Sequence, residues 1–353
     1  MERGIVHWLA AGVLLVAGLV GTVAAVEPPD LYTAEVAYDS QLRDARALAY
    51  ERALLQVLAR MTTEPLVASE LISDAAVFVL GWRESGRDSL WVSFDGAALG
   101  ATLQAAGVPV WGSDRPLTLV WLGIEHPDGT REILPMAPPA LEDDPFPELR
   151  DDRAALRVAL KEAASAFGLP LSLPVLDDTD QAAVAVSDVW GGFDNVLRSA
   201  SRRYRADSIL VGRASLDTPG VIRWRWLFGG DAVNLQGEPM MAMSRVAGEM
   251  LDQFAARPEE SSEVRVSVVG VREAEDYAEL MRFLQSRSLI DDVRVTTLRQ
   301  DELIVTLDAL ATRDRLAELL VGDELESVSA PLLAPSAIET ADLYFRWRMS
   351  AEQ

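Results

Sequence analysis

The stretch "DDVRVTTLRQDELIVTLDA", residues 291–309, alternates apolar and polar residues on both sides of a short polar turn. Alternation with a period of two is typical of half-buried strands, so this stretch predicts a β-hairpin that turns around residues 299–301. Upstream of it, "EVRVSVVGV" at 263–271 predicts a further strand. Between them, "AEDYAELMRFLQSR" at 274–287 predicts a helix, because its apolar residues recur at helical spacing.

A second helix and a short strand follow the hairpin. Thr312 precedes "RDRLAELLVG" in the position of a helix N-cap, and "LESVSA" at 325–330 predicts a last strand. The resulting order, β-α-β-β-α-β, is that of a ferredoxin-like unit. We therefore expect a ferredoxin-like domain over 263–330, followed by a tail, 331–353, in which "LYFRWRM" predicts a strand docked onto an earlier sheet.

The first part of the chain alternates strand and helix patterns, which indicates a layered α/β domain over 27–126. Ser40 predicts the N-cap of its longest helix. The predicted strands are "LYTAEVAY" at 31–38, "SLWVSFDG" at 89–96 and "PLTLVWLGIE" at 116–125, the last apolar enough for burial on both faces. The predicted helices are "QLRDARALAYERALLQVLARM" at 41–61, "AALGATLQAAG" at 97–107 and, unless it is irregular, "ELISDAAVFVLGW" at 70–82.

The middle of the chain predicts a linker and a second α/β domain. Residues 127–150 are rich in proline and acidic residues and lack periodicity, which predicts the linker. The domain is expected over 151–257, and the tryptophans and arginines on opposite sides of "VIRWRWLF", 221–228, predict a strand of an antiparallel sheet with one wet face. Its other predicted elements are a helix from Asp151, strands at 168–177 and 207–216, and helices at 193–205 and 240–256.

These patterns place the chain in the α/β to α+β class. We expect two small layered α/β domains followed by a ferredoxin-like βαββαβ domain. The polar, aperiodic segment "RPEESSE", 257–263, predicts a protease-sensitive boundary before the third domain.

The N-terminus predicts export. Residues 5–25, "IVHWLAAGVLLVAGLVGTVAA", form an apolar run that ends in small residues, so we expect residues 1–25 to be a signal peptide and the mature protein to be periplasmic. The alternatives are an uncleaved anchor in the inner membrane, which would be the protein's membrane contact, and a buried N-terminal helix in a cytoplasmic protein. The absence of cysteine excludes a lipid-bearing cysteine, disulfides and thiolate-ligated zinc.

Charge and residue inventory disfavour several function classes. The net charge of −23 disfavours nucleic-acid binding. Once the signal is removed, His126 is the sole histidine; it is expected in a solvated turn, and no G-x-S-x-G motif accompanies it. The acidic clusters "LDDTDQ" at 176–181 and "LEDDP" at 141–145 lack the spacing of a calcium loop. We therefore predict no catalytic residues, no metal and no cofactor.

Tryptophan is the most informative residue type for a binding site. Eight tryptophans lie beyond the predicted signal, and because burying one removes about 200 Å² from water, we expect most of them in the core. Trp111 is different, since it lies in the turn "GVPVWGSDRP", 107–116. We interpret this turn first as a stiff corner over the end of a sheet, with Trp111 buried. The alternative makes Trp111 and Arg115 an exposed pair that contacts a partner, as these residue types dominate binding hot spots.

Three stretches resemble an uncharacterised family of exported Gram-negative proteins, domain of unknown function 2066: "ARALAYERALLQVLARMT" at 45–62, "LWVSFDGAALGATLQAAGVPVWGSDRPLTLVWL" at 90–122 and "ASRRYRADSILVGR" at 200–213. This resemblance implies an envelope protein and no catalytic residues. In addition, "YRADSILVG", 204–212, with a later tryptophan-bearing strand and helix, resembles the α/β domains of the TolB N-terminus and of curli-secretion and penicillin-binding-protein-activator lipoproteins. That likeness implies protein contacts in the periplasm.

We expect a non-catalytic periplasmic protein that acts through contacts with other envelope proteins. The sequence sets neither the identity of the partner nor the oligomeric state. Two alternatives remain open: a glycan- or peptide-binding module with an open groove lined by tryptophans, and an atypical enzyme whose carboxylates converge in a pocket.

Overall fold

The computed structural model describes residues 31–138, 144, 147–217, 221–287, 289–299, 301–322, 324–329 and 340–348. The predicted signal peptide lies outside them. The described residues form three sheets with helices packed against them, which confirms the α/β to α+β class. None of the helices in these ranges combines the length and the apolar character that crossing a membrane requires.

The first sheet has three antiparallel strands in the order β1-β3-β2, covered by helix α1. The predicted helix α1 is amphipathic and buries Tyr50, Leu54, Val57, Leu58 and Met61 in the core, as its spacing predicts. The elements of this unit are β1 (Thr33–Ala37), α1 (Ala45–Met61), α2 (Pro65–Leu71), β2 (Val79–Ser85), β3 (Ser89–Phe94) and α3 (Gly96–Ala105).

The structure corrects one local prediction in this unit and decides between the two alternatives of another. Helix α1 begins at Ala45, four residues later than predicted, because its N-cap is Asp44, which has a left-handed backbone with φ 60°. The segment 70–82 follows the irregular alternative, since only its first two residues are α-helical, at the end of α2. The carboxylate of Asp74 accepts the backbone N–H of Ala76, which caps a short 3₁₀ turn, and the chain then continues as strand β2.

The second sheet has the order β5-β4-β7-β8-β9, with the two-residue strand β6 also paired to β4. Strand β8 is antiparallel to both of its neighbours, but β4 and β7 are parallel, so the sheet is mixed rather than antiparallel as predicted. Its strands are β4 (Thr118–Glu125), β5 (Arg131–Ile133), β6 (Leu171–Ser172), β7 (Ser208–Ser215), β8 (Ile222–Phe228) and β9 (Asp231–Gly237). Its helices are α4 (Arg150–Ala166), α5 (Asp178–Ala183), α6 (Val186–Gly191), α7 (Asp194–Ser201) and α8 (Pro239–Phe254).

Helices cover both faces of the second sheet. Strand β4 is buried on both sides, as predicted: Val120 and Leu122 pack with α4 and α8, while Leu119 and Trp121 pack with α6 and α7. Helices α4 and α8 lie side by side on their face. Strand β4 was predicted within the first domain, but its pairing with β7 places it in the second sheet.

Other corrections concern the second sheet. Residues 131–133 of the predicted linker form β5, because they pair with β4 across a tight turn. Strand β9 and the short helices α5 and α6 were not predicted. Residues 139–143 and 145–146 of the predicted linker lie outside the described part of the chain.

The third unit has the predicted βαββαβ order. Its elements are β10 (Ser262–Val269), α9 (Ala274–Gln285), β11 (Ile290–Arg299), β12 (Glu302–Ala309), α10 (Arg313–Leu320) and β13 (Leu325–Ser327). The Thr312 hydroxyl accepts the backbone N–H of Arg315, which confirms the predicted N-cap. The predicted strand of the tail is β14 (Leu343–Trp347), which lies between β10 and β13 in the sheet order β11-β12-β10-β14-β13.

The end of helix α8 connects the three units. Ala256 forms a β-bridge with Val110 of the first unit, in which the two backbone nitrogens lie 2.8 and 3.1 Å from the carbonyl oxygens that accept their hydrogen bonds. The guanidinium of Arg315 donates to the carbonyl oxygens of Gln253 and Ala255 at 2.6 Å each. The predicted boundary 257–263 is therefore held in place at its start: it begins beside this junction, forms a 3₁₀ turn and enters β10 at Ser262.

Candidate functional site

Trp111 and Arg115, the predicted contact pair, are internal. Trp111 is 0 % exposed, stacks on Phe254 with ring centroids 6.2 Å apart, and carries the Arg115 guanidinium 4.0 Å above its ring centre. The turn is therefore a buried corner where the first two units meet, as the first interpretation expects. The exposed-pair alternative is contradicted, because neither side chain reaches the surface.

The Arg115 guanidinium fixes this corner by donating to main-chain carbonyls. It reaches the carbonyl oxygens of Arg60 at 2.6 Å, Gly112 at 2.9 Å and Gly168 at 3.2 Å, which belong to separate segments. Burial lowers the pKa of Arg115 to about 9. The group is therefore still protonated at neutral pH, and all of its hydrogen bonds remain charge-assisted.

His126 is buried, which corrects the prediction of a solvated turn residue. Its Nε2 lies 3.2 Å from Oε1 of Glu132, whose second oxygen lies 3.2 Å from Arg153. Arg153 also pairs with Asp144 at 2.7 Å. The side chains come from the β4–β5 hairpin, from helix α4 and from the segment between them. Asp144 belongs to the predicted cluster "LEDDP", so part of that cluster is a buried ion-pair partner rather than a solvated loop charge.

The second acidic cluster is also tied to the fold. The carboxylate of Asp177 caps α5 through the backbone N–H of Asp180 and pairs with Arg203, which lowers the pKa of Asp177. Asp180 is fully buried and accepts hydrogen bonds from Arg203 and the Tyr204 hydroxyl. Desolvation, helped by Asp180, raises the pKa of Tyr204 to about 12. Within the described residues, no group of three or more histidine, aspartate or glutamate side chains is placed to hold a metal.

In the described part of the chain, most tryptophans are in the core rather than along a groove. Five are buried, at positions 111, 121, 224, 226 and 347. Of the others, Trp82 stands opposite Val92 and Trp91 opposite Arg83, at adjacent register positions of β2 and β3. Adjacent strand positions point to opposite faces, so Trp82 and Trp91 cannot contact one ligand together.

Among the described residues, exposed large apolar side chains are most concentrated along one segment of the first unit. We call it the 66–82 surface, and its exposed side chains are Leu66, Val67, Leu71, Val77, Leu80 and Trp82. Helix α2 buries only Ala68, which leaves its other apolar residues in solvent. Leu80 is 70 % exposed because the β2–β3 register shifts between Val79 and Gly81, and a bulge of this kind re-aims the side chain it contains.

Strand β2 forms an edge of its sheet, since among the described strands it pairs with β3 alone. Trp82 is 41 % exposed at this edge, and its ring carries the Arg46 guanidinium at 4.1 Å. The segment 64–85 contains four carboxylates and one guanidinium, so the apolar side chains lie in an acidic environment. Sequence reasoning missed this surface because the apolar run 70–82 was interpreted as a helix or an irregular segment, and local sequence does not show which of its side chains are left outside the core.

The comparison with protein families concerns this first unit. A family described as Domain of unknown function (DUF8605) has a model that matches residues 25–112. The match includes the first core cluster, from Ala34 to Val110, and the whole 66–82 surface. No curated protein and no solved structure matches the chain. The resemblances to domain of unknown function 2066 and to TolB-type domains stay predictions.

Proposed function

We propose that the protein is a non-catalytic component of the cell envelope that binds another envelope protein through the 66–82 surface. The observation that carries this proposal is the concentration of exposed apolar side chains on one segment of the first unit. Contiguous exposed apolar patches on soluble domains mark interaction sites, because leaving them in water gives no folding benefit.

The edge strand suggests how the partner binds. An exposed edge offers main-chain N–H and C=O groups to an added strand, and alternate side chains of that strand contact the neighbouring surface. Leu80 and Trp82 supply that surface beside β2. An extended partner segment with apolar residues and basic flanks fits both the edge and the acidic surroundings.

The apolar run of residues 1–25 is the main support for the proposed location. We propose that the signal is processed after Ala25 and that the mature chain works in the periplasm. Intact-mass measurement of the protein from a periplasmic fraction is the test. A mass that retains residues 1–25 in the membrane fraction would instead support the inner-membrane anchor.

Photo-crosslinking tests the proposed surface. A photo-reactive residue at position 80 of the full chain should give a discrete heavier adduct in intact cells, and Trp82→Ala should reduce it. The matched control is position 298, because Leu298 is also an exposed leucine on an edge strand, at 59 % exposure. Equal adducts from both positions, or none from position 80, would contradict the proposal.

A further inference from the structure

A groove of about 830 Å³ runs along the outer side of helix α8, next to the end of α4. Helix α8 packs on the second sheet through Met243, Val246 and Met250, so the groove lies on its opposite face. Binding sites for ligands have volumes of about 300–1,000 Å³, so the size is that of a binding site. The groove is distant in sequence from the 66–82 surface, and its use is independent of the function proposed above.

The middle of the groove contains a glycine that the chain itself does not need. Gly248 lies in the helix interior, where glycine costs about 1 kcal/mol relative to alanine. A Cβ atom at this position would meet nothing within 4 Å. Packing inside the protein therefore gives no reason for glycine here, whereas the close approach of another backbone would.

The apolar lining is flexible and exposed. Met240 and Met241 lie at the start of α8, with Met241 64 % exposed, and Phe167 adds a half-buried aromatic ring at the end of α4. Methionine adapts its shape to a partner, and exposed methionines are characteristic of surfaces that accept helices.

The polar lining is acidic. Glu238, Glu249 and Asp252 contribute three carboxylates, against one guanidinium from Arg245. Arg245 is already paired with Glu249 at 2.6 Å, and Asp252 with Arg257 at 2.6 Å. The carboxylate of Glu238 makes no cap bond to the helix, so it is the lining acid most available to a cationic ligand.

We propose that this groove binds an amphipathic helix of another protein, with an apolar face for the methionines and basic residues on its flanks. A helix fits better than an extended peptide, because the backbone groups of α8 are already bonded within the helix and offer no ladder to a strand. From Glu238 to Asp252 the groove follows 14 helical steps, about 21 Å, which matches a partner helix of about four turns. The net charge of −23 disfavours a second copy of this chain or an anionic membrane as the occupant.

The test uses a fluorescently labelled 14-residue peptide of leucine and lysine that forms an amphipathic helix. Its binding to the full chain is measured by fluorescence anisotropy. Its controls are the leucine–glutamate counterpart and a scrambled peptide of the same composition. We expect saturable binding of one leucine–lysine peptide per chain and little binding of either control. Met241→Lys should weaken binding at least about tenfold, because it places a cation among the apolar contacts. Leu298→Lys introduces the same charge at a similarly exposed position and should leave affinity unchanged, and melting curves should show that both variants are folded.

Several outcomes would overturn the proposal. An equal loss of peptide affinity in Met241→Lys and Leu298→Lys would mean that net charge alone attracts the peptide. Equal binding of the scrambled or acidic peptide would exclude the helix or the basic flanks. If Leu80→Lys weakens peptide binding and Met241→Lys does not, the peptide binds the 66–82 surface instead of the groove. A wild-type dimer in sedimentation that Met241→Lys dissociates would make the occupant a second copy. Failed crosslinking at position 80 with retained peptide binding would refute the proposed function alone.

Discussion

Replacing Trp111 by alanine should be among the most destabilising single changes in the protein. The side chain is fully buried, so removing about 200 Å² of apolar contact at about 25 cal/mol per Å² corresponds to about 5 kcal/mol. The unfolded chain already buries part of this area, which lowers the figure, while loss of the ring stack on Phe254 and of the Arg115 guanidinium above the ring raises it again. We expect a loss of about 3–5 kcal/mol in the free energy of unfolding.

Urea denaturation followed by far-ultraviolet circular dichroism measures this loss. The midpoint should fall with a nearly unchanged slope, because about 200 Å² is a small part of the surface that the whole chain exposes on unfolding. The matched control is Trp82→Ala, which removes a 41 % exposed ring and should cost under about 1 kcal/mol. Our account of this turn is wrong if the free energy of unfolding of Trp111→Ala lies within about 1 kcal/mol of wild type. It is also wrong if Trp82→Ala lowers the free energy of unfolding as much as Trp111→Ala does.

Three further changes test other parts of the fold. Gly248→Ala should stabilise the protein by about 1 kcal/mol in thermal melts, since alanine favours helix and the added Cβ meets open space; a lower melting temperature would show a hidden clash. Thr312→Ala should cost about 1 kcal/mol through loss of the α10 cap, and Thr312→Ser should restore most of it. Arg203 lowers the pKa of Asp177 in the folded state. Their ion pair therefore stabilises the fold at any pH above the pKa that Asp177 has in the unfolded chain, and this stabilisation is lost as the pH falls through the lower, folded-state pKa. Asp177→Asn should therefore be less stable than wild type at neutral pH, and the difference should vanish in strong acid; a constant difference would exclude the ionic contribution.

Strong periodicity was enough to predict the elements that bury one face. The apolar spacing of α1 and the alternation of β12 correspond to faces that pack inside, so local sequence carries the necessary signal. Strand β9 shows the opposite case. No residue of "DAVNLQG" is buried, and it forms a strand only because β8 supplies its hydrogen bonds. Local sequence contains no trace of that partner.

The candidate sites depended on distant contacts in the same way. His126 looked solvated because its immediate neighbours are turn residues, but it is buried beside Glu132 of β5, which in turn pairs with Arg153 of α4. The burial of Trp111 was expected from proline and glycine at the turn, whereas its partner Phe254 lies at the end of α8 and could not be inferred. The groove on α8 was missed because it consists of the polar side of an ordinary amphipathic helix, which looks the same in sequence whether or not it is used.

The place of β14 in the third sheet affects the order in which that sheet can assemble as the chain emerges from its N-terminal end. Strands β10 and β12 can pair once residue 309 has emerged, yet β13 has no direct partner in β10 and must wait for β14. Arg265 and Asp342, which hydrogen-bond at the start of the β10–β14 pair, are 77 positions apart. Until those last residues are made, one side of β10 is an unprotected strand edge, the kind of surface that chaperones cover in nascent chains. Strand β14 thus closes this side of β10, and removal of residues 343–347 would expose the β10 edge to pairing with other chains.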